Sequence, residues 1–148
     1  MSSTLIRSLV YEGRVSEAAK LLGRNYRLSG RVVRGNALGV KIGFPTANIK
    51  MKTEEKIVPG NGVYAALAHV EDMTYKSMLN IGYRPTFGGE ERTIEVHLHQ
   101  FGGDLYHKEI NVEFVKRIRD EKKFESMHCL TNQLKNDKKE SLHVLANV

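Results

Sequence analysis

The amino-acid sequence predicts an all-β domain of six strands, folded as an antiparallel barrel or sandwich, with short helices before the strands and one helix after them. From Tyr26 onward apolar residues recur with a period of two, and glycine-containing turns separate the extended runs. No helical pattern intervenes between these runs, as it would in a parallel sheet. The 148 residues suffice for one hydrophobic core, and we therefore expect one folded unit.

The N-terminal segment predicts two short helices. Apolar residues recur at helical spacing between Ser3 and Leu22, where Gly13 interrupts the pattern and Gly23 ends it. We expect the second helix to span about residues 15–22.

Turns marked in the sequence separate the six extended runs. The markers are "PGNG", Glu71-Asp72, "FGGEE" and "FGGD", most of which are rich in glycine. The predicted strands span residues 26–33, 46–49, 62–70, 75–81, 93–100 and 109–119.

The fifth run shows the alternation of a strand with one face in the core. Its apolar residues Ile94, Val96 and Leu98 fall on one face, and Glu95, His97 and His99 fall on the other. The first face is predicted to enter the core, and the second is predicted to be polar.

A helical pattern returns after Phe124 and predicts a C-terminal helix that lies across the strands. Its apolar residues line one side of a basic, amphipathic segment. Cys129 in this helix is predicted to be a small buried residue. The apolar side comprises Met127, Leu130, Leu134, Leu142 and Leu145.

Composition limits the classes of function. There are 23 basic and 17 acidic residues, and the net charge of +6 favours an anionic partner, either a nucleotide or a nucleic acid. Cys129 is the only cysteine, which excludes an internal disulfide bond and a thiolate cluster. No apolar run approaches the roughly 20 residues of a membrane span, and no signal peptide is evident. We expect a cytoplasmic protein without a membrane partner.

Glycines cluster before a proline in "GNALGVKIGFPTANI". Glycine allows backbone N–H groups to approach a ligand closely, and phosphate is the usual ligand of such loops. The pattern is neither a P-loop nor a dinucleotide fingerprint. A turn-rich connection and an anion-binding loop both remain open.

Thr46 and Asn48 follow this loop two residues apart, so that their side chains share a face of an extended segment. A hydroxyl and an amide oxygen suit Mg²⁺, which takes its other ligands from water and substrate phosphates. Hydrogen bonding of both side chains to the local backbone is the alternative.

Glu95, His97 and His99 are further candidates for chemistry. A carboxylate in the middle of a strand can act as a general base toward a hydroxyl group, although an exposed glutamate is the simpler interpretation. Two histidines on one strand face can hold a metal, but a third ligand is lacking, which favours a hydrated or packed pair.

Five motifs occur in an order that resembles the riboflavin kinase module of bacterial bifunctional riboflavin kinase/FAD synthetases. They are "GNALGVKIGFPTANI", "VPGNGVYAA", "LNIGYRPTF", "TIEVHL" and "IRDEKKF". The resemblance covers about residues 26–145. It implies a six-stranded Greek-key barrel that transfers the γ-phosphoryl group of ATP to the terminal ribityl hydroxyl of riboflavin, with Mg²⁺ or another divalent cation as cofactor. The products would be FMN and ADP.

The resemblance also implies roles for single residues. Thr46 and Asn48 match the positions that bind the magnesium-nucleotide, and Glu95 matches the proposed catalytic base. The glycine loop matches the segment that closes over the phosphates, and Arg119 lies in a stretch that matches a mobile region near the flavin. The implied binding residues are Gly35, Gly39, Lys41, Gly43, Pro45, Thr46, Asn48 and Arg119.

The N-terminal residues resemble a different module. "SSTLIR" resembles the last nucleotide-binding motif of the adenylyltransferase module that precedes the kinase in the bifunctional enzymes. We therefore expect residues 1–23 to be a helical remnant of that module and residues 24–148 to be the kinase domain. The adenylyltransferase is expected in the full-length enzyme, and this chain should not make FAD.

A basic β-barrel that binds a nucleotide or a nucleic acid without catalysis is the alternative function. Such a barrel needs aromatic platforms among basic residues, whereas aromatic residues make up only 7% of this chain. No nucleic-acid partner is therefore predicted.

Overall fold

The computed structural model describes residues 3–33, 43–52 and 56–148. Within these residues, two N-terminal helices precede six strands, and a third helix follows them. The helices are α1 (Ser3–Tyr11), α2 (Val15–Leu22) and α3 (Met127–Val144). The strands are β1 (Arg27–Val33), β2 (Ala47–Met51), β3 (Gly62–Val70), β4 (Met73–Thr86), β5 (Gly89–Leu98) and β6 (Glu109–Arg119).

The six strands close into a barrel in the order β1-β2-β5-β4-β3-β6, and every pairing is antiparallel. The strands β3, β4 and β5 form a meander, whereas β2 pairs with β5, far from it in the chain. This order confirms the predicted six-stranded antiparallel Greek-key barrel.

Alternating residues of the strands fill the barrel. The buried core includes Leu28, Tyr64, Val96, Val112 and Phe114, and the ring of Tyr64 meets that of Phe114 edge-to-face at 5.2 Å. Strand β3 is buried on both faces because Ala65 and Leu67 pack outward against Leu145, just after α3. The outer face of β3 is therefore shielded from solvent by α3 and the residue that follows it.

Strands β4 and β5 are longer than the sequence predicts. Their ladder continues to the pair Thr86↔Gly89, which leaves a turn at Phe87 and Gly88 only. Gly88 has a φ of 91°, a conformation that glycine adopts readily. Pro85 lies at the exposed end of this hairpin, where a missing N–H is tolerated.

One expectation about buried residues was wrong. Cys129 is exposed, because it lies in the first turn of α3 on the side away from the barrel. On the polar face of β5, His97 and His99 are only 8% and 4% exposed and form a packed pair.

The N-terminal helices pack against the barrel. Leu9, Val10 and Ala18 form a small cluster with Tyr26, and the Ser16 hydroxyl donates a hydrogen bond to the Val115 carbonyl. None of the described helices is long and apolar enough to cross a membrane.

Candidate active site

Strands β2 and β5 bring the "PTAN" and "TIEVHL" motifs together. In their short pairing, Ala47 lies opposite Val96 and Asn48 lies opposite Glu95. Because Val96 and Ile49 enter the core, Asn48 and Glu95 point to the outer side of the barrel. Directly opposite side chains on one face have Cβ atoms about 5 Å apart. The predicted metal ligand and the predicted base are thus neighbours.

Asn80 of β4 completes a row with these two residues. It lies opposite Glu95 in the β4–β5 register, so that Asn48, Glu95 and Asn80 stand side by side on three strands. The Oδ1 atom of Asn80 is buried and makes no hydrogen bond to the described residues. It can accept a hydrogen bond from a ligand.

A cavity of about 200 Å³ lies over Glu95 and Asn80 of this row, between the outer face of the barrel, α3 and residues 119–124. We call it the outer cavity. Thr46, Asn80 and Glu95 contribute polar groups to its lining. Its apolar lining includes Met78, Phe124, Leu130 and Leu134.

The side chain of Glu121 reaches back to β4 beside this cavity. Gly82 lies two residues beyond Asn80 on the same face of β4, and the carboxylate of Glu121 occupies the space that a Cβ atom at Gly82 would take.

A second cavity of about 390 Å³ lies at one end of the barrel, and we call it the mouth cavity. Val32, Ala47 and Val96 line it from the barrel, and residues 103–106 line it from the loop before β6. Pro45 and Thr46 also border it. Thr46 is the one described residue that lines both cavities.

Burial shifts the pKa values of two titratable groups on the outer face. It raises the pKa of Glu95 above the usual value for a carboxyl group, and the positive charge of Arg84 opposes this rise only in part. Burial also lowers the pKa of His97. A carboxyl group with a raised pKa in a cleft is typical of an acid–base catalyst.

Comparison with known proteins identifies the family. A family model described as riboflavin kinase, or flavokinase, matches residues 22–145.

The chain belongs to the riboflavin kinase family.

Curated relatives support this membership. The bifunctional riboflavin kinase/FMN adenylyltransferase of Bacillus subtilis (strain 168) is 41% identical over 151 residues, which cover 100% of this chain and 48% of that protein. The protein of the same name from Escherichia coli (strain K12) is 38% identical, over 93% of this chain and 44% of its own length. The chain thus spans about half the length of the curated relatives it matches.

Two solved structures share the fold. One is described as a macrolide-efflux protein from Streptococcus pneumoniae, with a TM-score of 0.89 and 40% identity over 95% of this chain and 46% of that chain. The other is riboflavin kinase from Trypanosoma brucei, with a TM-score of 0.58 and 25% identity over 84% of this chain and 82% of that chain. The resemblance noted in the sequence is confirmed for both the family and the barrel.

Not every residue implied by the riboflavin kinase resemblance can be placed. Gly35, Gly39 and Lys41 lie outside the described residues. Gly43 is described, and its φ of 83° marks the turn that leads into Phe44. Pro45 borders the mouth cavity. The roles of these five residues stay predictions.

Arg119 lines the outer cavity but also has a structural partner. Its Nε and Nη2 atoms donate hydrogen bonds of 2.8 Å each to the two carboxylate oxygens of Asp137, which is 1% exposed. Gln133 donates a third hydrogen bond to Asp137. The arginine therefore ties the end of β6 to α3, and contact with the flavin stays a prediction for it.

The side-chain oxygen atoms of Thr46 and Asn48 suit a Mg²⁺ ion that is bound together with a nucleotide, rather than a metal ion whose ligands all come from the protein. No group of three or more histidine, cysteine, aspartate or glutamate residues in the described part of the chain could hold a metal. A hydroxyl and an amide oxygen beside one carboxylate leave most ligands of Mg²⁺ to phosphate and water, as this ion prefers.

The sequence missed Asn80 as a candidate. It lies in "LNIGYRPTF", which was recognised as a motif without a role for any of its residues. Only the register between β4 and β5 shows that it flanks Glu95.

Proposed function

We propose that this chain is an ATP-dependent riboflavin kinase, which transfers the γ-phosphoryl group of ATP to the terminal ribityl hydroxyl of riboflavin. One observation carries the proposal beyond family membership: Thr46 lies at the junction of two cavities, and Glu95 faces one of them. A kinase needs this arrangement, because its two substrates must meet at the transferred group.

Riboflavin is assigned to the outer cavity. The apolar side chains Met78, Phe124, Leu130 and Leu134 provide the slot that an isoalloxazine ring requires. Glu95 and Asn80 lie in the same cavity and are available to the polar ribityl chain.

ATP is assigned to the mouth cavity, with its phosphates directed toward Thr46. The Thr46 hydroxyl and the Asn48 amide would hold the Mg²⁺ ion that accompanies the nucleotide. Such an ion, when bound, neutralises charge that develops on the phosphoryl oxygens.

The chemical step needs one proton acceptor. The ribityl hydroxyl oxygen forms a bond to the γ-phosphorus, while the bond from that phosphorus to the bridging oxygen breaks and ADP departs. Glu95 accepts the hydroxyl proton. Its burial raises its pKa, which makes the carboxylate a stronger base than an exposed one.

Separation of the products tests this function. The purified chain is incubated with ATP, Mg²⁺ and riboflavin, and FMN is separated from FAD. We expect FMN without FAD, because the family match concerns the kinase and the chain spans about half of its bifunctional relatives. Absence of FMN over a range of pH and divalent ions would contradict the proposal.

The alternative of a nucleic-acid-binding barrel needs exposed aromatic rings beside basic residues, and of three strand tyrosines only Tyr83 offers one. Tyr64 is in the core and Tyr75 packs edge-to-face on Phe101, so neither is a free stacking platform. Tyr83 is 51% exposed, and the guanidinium of Arg92 lies over its ring. Salt-dependent binding to single strands remains the measurement that would favour this alternative. A cytoplasmic location stays a prediction.

A further inference from the structure

The segment that carries Thr46 has little backbone support on the β5 side. Among the described residues, two pairs connect β2 to β5, and the ladder starts at Ala47. Pro45 has no N–H group to donate. A side-chain contact adds to this limited backbone support for residues 44–46.

The side chain of His97 makes that contact. Its Nδ1 atom lies 2.7 Å from the carbonyl oxygen of Pro45. Because a carbonyl oxygen only accepts, Nδ1 carries the proton and donates. The ring also packs against Phe44, with 5.5 Å between the ring centroids. Both residues that precede Thr46 are therefore held by one imidazole.

The histidine side of this contact is buried. His97 is 8% exposed, and its ring packs edge-to-face on that of His99 at 5.4 Å. Pro45 itself is exposed, so the hydrogen bond between them is partly buried.

We propose that His97 is a positioning residue, which holds Pro45 so that the Thr46 hydroxyl stays at the junction of the two cavities. The consequence for catalysis rests on the proposed kinase function, whereas the hydrogen bond itself does not. Glu95 and His97 are two residues apart on the same face of β5, about 7 Å along the strand. One strand therefore sets the position of the base relative to the nucleotide-binding segment.

Nitrogen NMR of the His97 ring tests the anchor without any substrate. In the full chain at neutral pH, we expect the neutral tautomer with the proton on Nδ1, and a Pro45 carbonyl carbon shift typical of a hydrogen-bonded group. The tautomer with the proton on Nε2 would overturn the proposal. This measurement holds even if the chain forms no FMN, which would refute only the kinase function.

Two variants separate positioning from simple packing. His97→Phe keeps an aromatic ring but removes the donor, and we expect kcat/KM for ATP to fall roughly 10- to 100-fold. His97→Asn places an amide N–H near the position of Nδ1 and should recover most of that loss. The melting temperature is measured for each variant, so that unfolding is not mistaken for loss of positioning.

A matched control uses another hydrogen-bonded strand histidine. His69 on β3 contacts Thr74 and Glu113 and borders neither the outer nor the mouth cavity. His69→Phe should change stability but leave kcat/KM for ATP within about twofold. Unchanged kinetics in His97→Phe, or equal impairment in His97→Asn and His97→Phe, would overturn the positioning role.

Discussion

At the scale of single residues, the chemistry centres on a carboxylate that the fold half buries. Asn48 and Asn80 flank Glu95 in register, and in the described structure Arg84 acts on it only through its charge, without a hydrogen bond. The folded state therefore disfavours the charged form, and the raised pKa of Glu95 records this cost. Such a cost is typical of a functional site.

Replacing Glu95 by glutamine should lower the activity and raise the stability of the fold. Because the pKa of Glu95 is higher in the folded chain than in the unfolded chain, the protonated carboxyl group favours the folded state. This contribution is full below the unfolded pKa and is lost as the pH rises through the folded pKa. At pH 7 the charged Glu95 therefore destabilises the fold. Glu95→Gln should lower kcat for FMN formation by roughly 10²- to 10⁴-fold while raising the melting temperature.

The matched control for this variant is Glu91→Gln. Glu91 is on the same strand but is exposed and paired with Arg84. We expect kcat within about twofold of the parent chain, because exposed pairs contribute little. Equal turnover in Glu95→Gln and the parent would exclude Glu95 as the base.

At the scale of elements, α3 is held by polar residues that its sequence pattern does not indicate. Leu130, Leu134, Asp137, Ser141 and Leu145 follow one another at three- or four-residue spacing toward the barrel. Met127 is 44% exposed, whereas Leu142 is partly buried, as Leu130 and Leu134 are. The predicted apolar stripe was thus wrong at Met127, and two positions that face the barrel are polar.

Ser141 shows why a polar residue belongs on this face. Its hydroxyl donates to the carbonyl of Lys138, so its oxygen accepts from Nε2 of His99 at 2.7 Å. The Nδ1 atom of His99 is buried and has no hydrogen-bond partner among the described residues. Burial, together with the charges of His97 and Lys138, lowers the pKa of His99 to about 4. The helix therefore contacts the barrel through a hydrogen bond to a neutral histidine side chain.

Acid should weaken this attachment. Because the pKa of His99 is lower in the folded chain, the unfolded chain binds more protons between pH 6.5 and about pH 4, and stability falls as the pH falls through that range. The contribution is up to about 3 kcal/mol. Urea unfolding at pH 7 and pH 4.5 should show a smaller loss in His99→Gln, which keeps a donor but does not titrate.

Exposed His143 on α3 supplies the comparison for that experiment. His143→Gln should retain the pH dependence of the parent chain. If His99→Gln retained it as well, protonation of His99 would not be the cause of the acid sensitivity.

The pair formed by Arg119 and Asp137 should be the stronger attachment of α3. Asp137→Asn leaves the guanidinium without its buried counter-charge, and we expect the free energy of unfolding to fall by about 3 kcal/mol. Glu140→Gln, at an exposed position of the same helix, should change it by no more than about 0.5 kcal/mol. Similar denaturation midpoints for both variants would contradict a structural role for the pair.

At the scale of the whole molecule, the barrel separates two cavities that share Thr46. The mouth cavity opens from the barrel interior, whereas the outer cavity is completed by α3 and residues 119–124. We therefore expect the nucleotide and the flavin to bind without competing for the same space.

Filling the outer cavity should weaken the binding of riboflavin without weakening the binding of the nucleotide. Leu134→Trp adds an indole to a space of about 200 Å³, so the dissociation constant for riboflavin should rise at least about tenfold. Binding of ADP with Mg²⁺, measured by calorimetry, should change less than about twofold. Lys135→Trp, at an exposed neighbouring position, controls for the added indole. Equal loss of both ligands in Leu134→Trp would contradict separate cavities.

Much of this fold could be predicted because strands and turns follow local rules. The period of two located all six strands, and the glycine-rich markers located the turns between them. Errors arose at the β4–β5 hairpin, whose ladder continues into the residues predicted as a turn, and at Cys129, which lies on the exposed side of α3.

By itself, the sequence determined the strand pattern and the "FPTAN" and "TIEVHL" motifs, since both depend on residue type and spacing along a short segment. Only the tertiary structure decided that Asn80 flanks Glu95, that His97 holds Pro45, and that Asp137 faces Arg119. The physical reason is that closure of the barrel sets the register between strands distant in the chain. Local periodicity tells which face a side chain occupies, but not which side chain stands beside it.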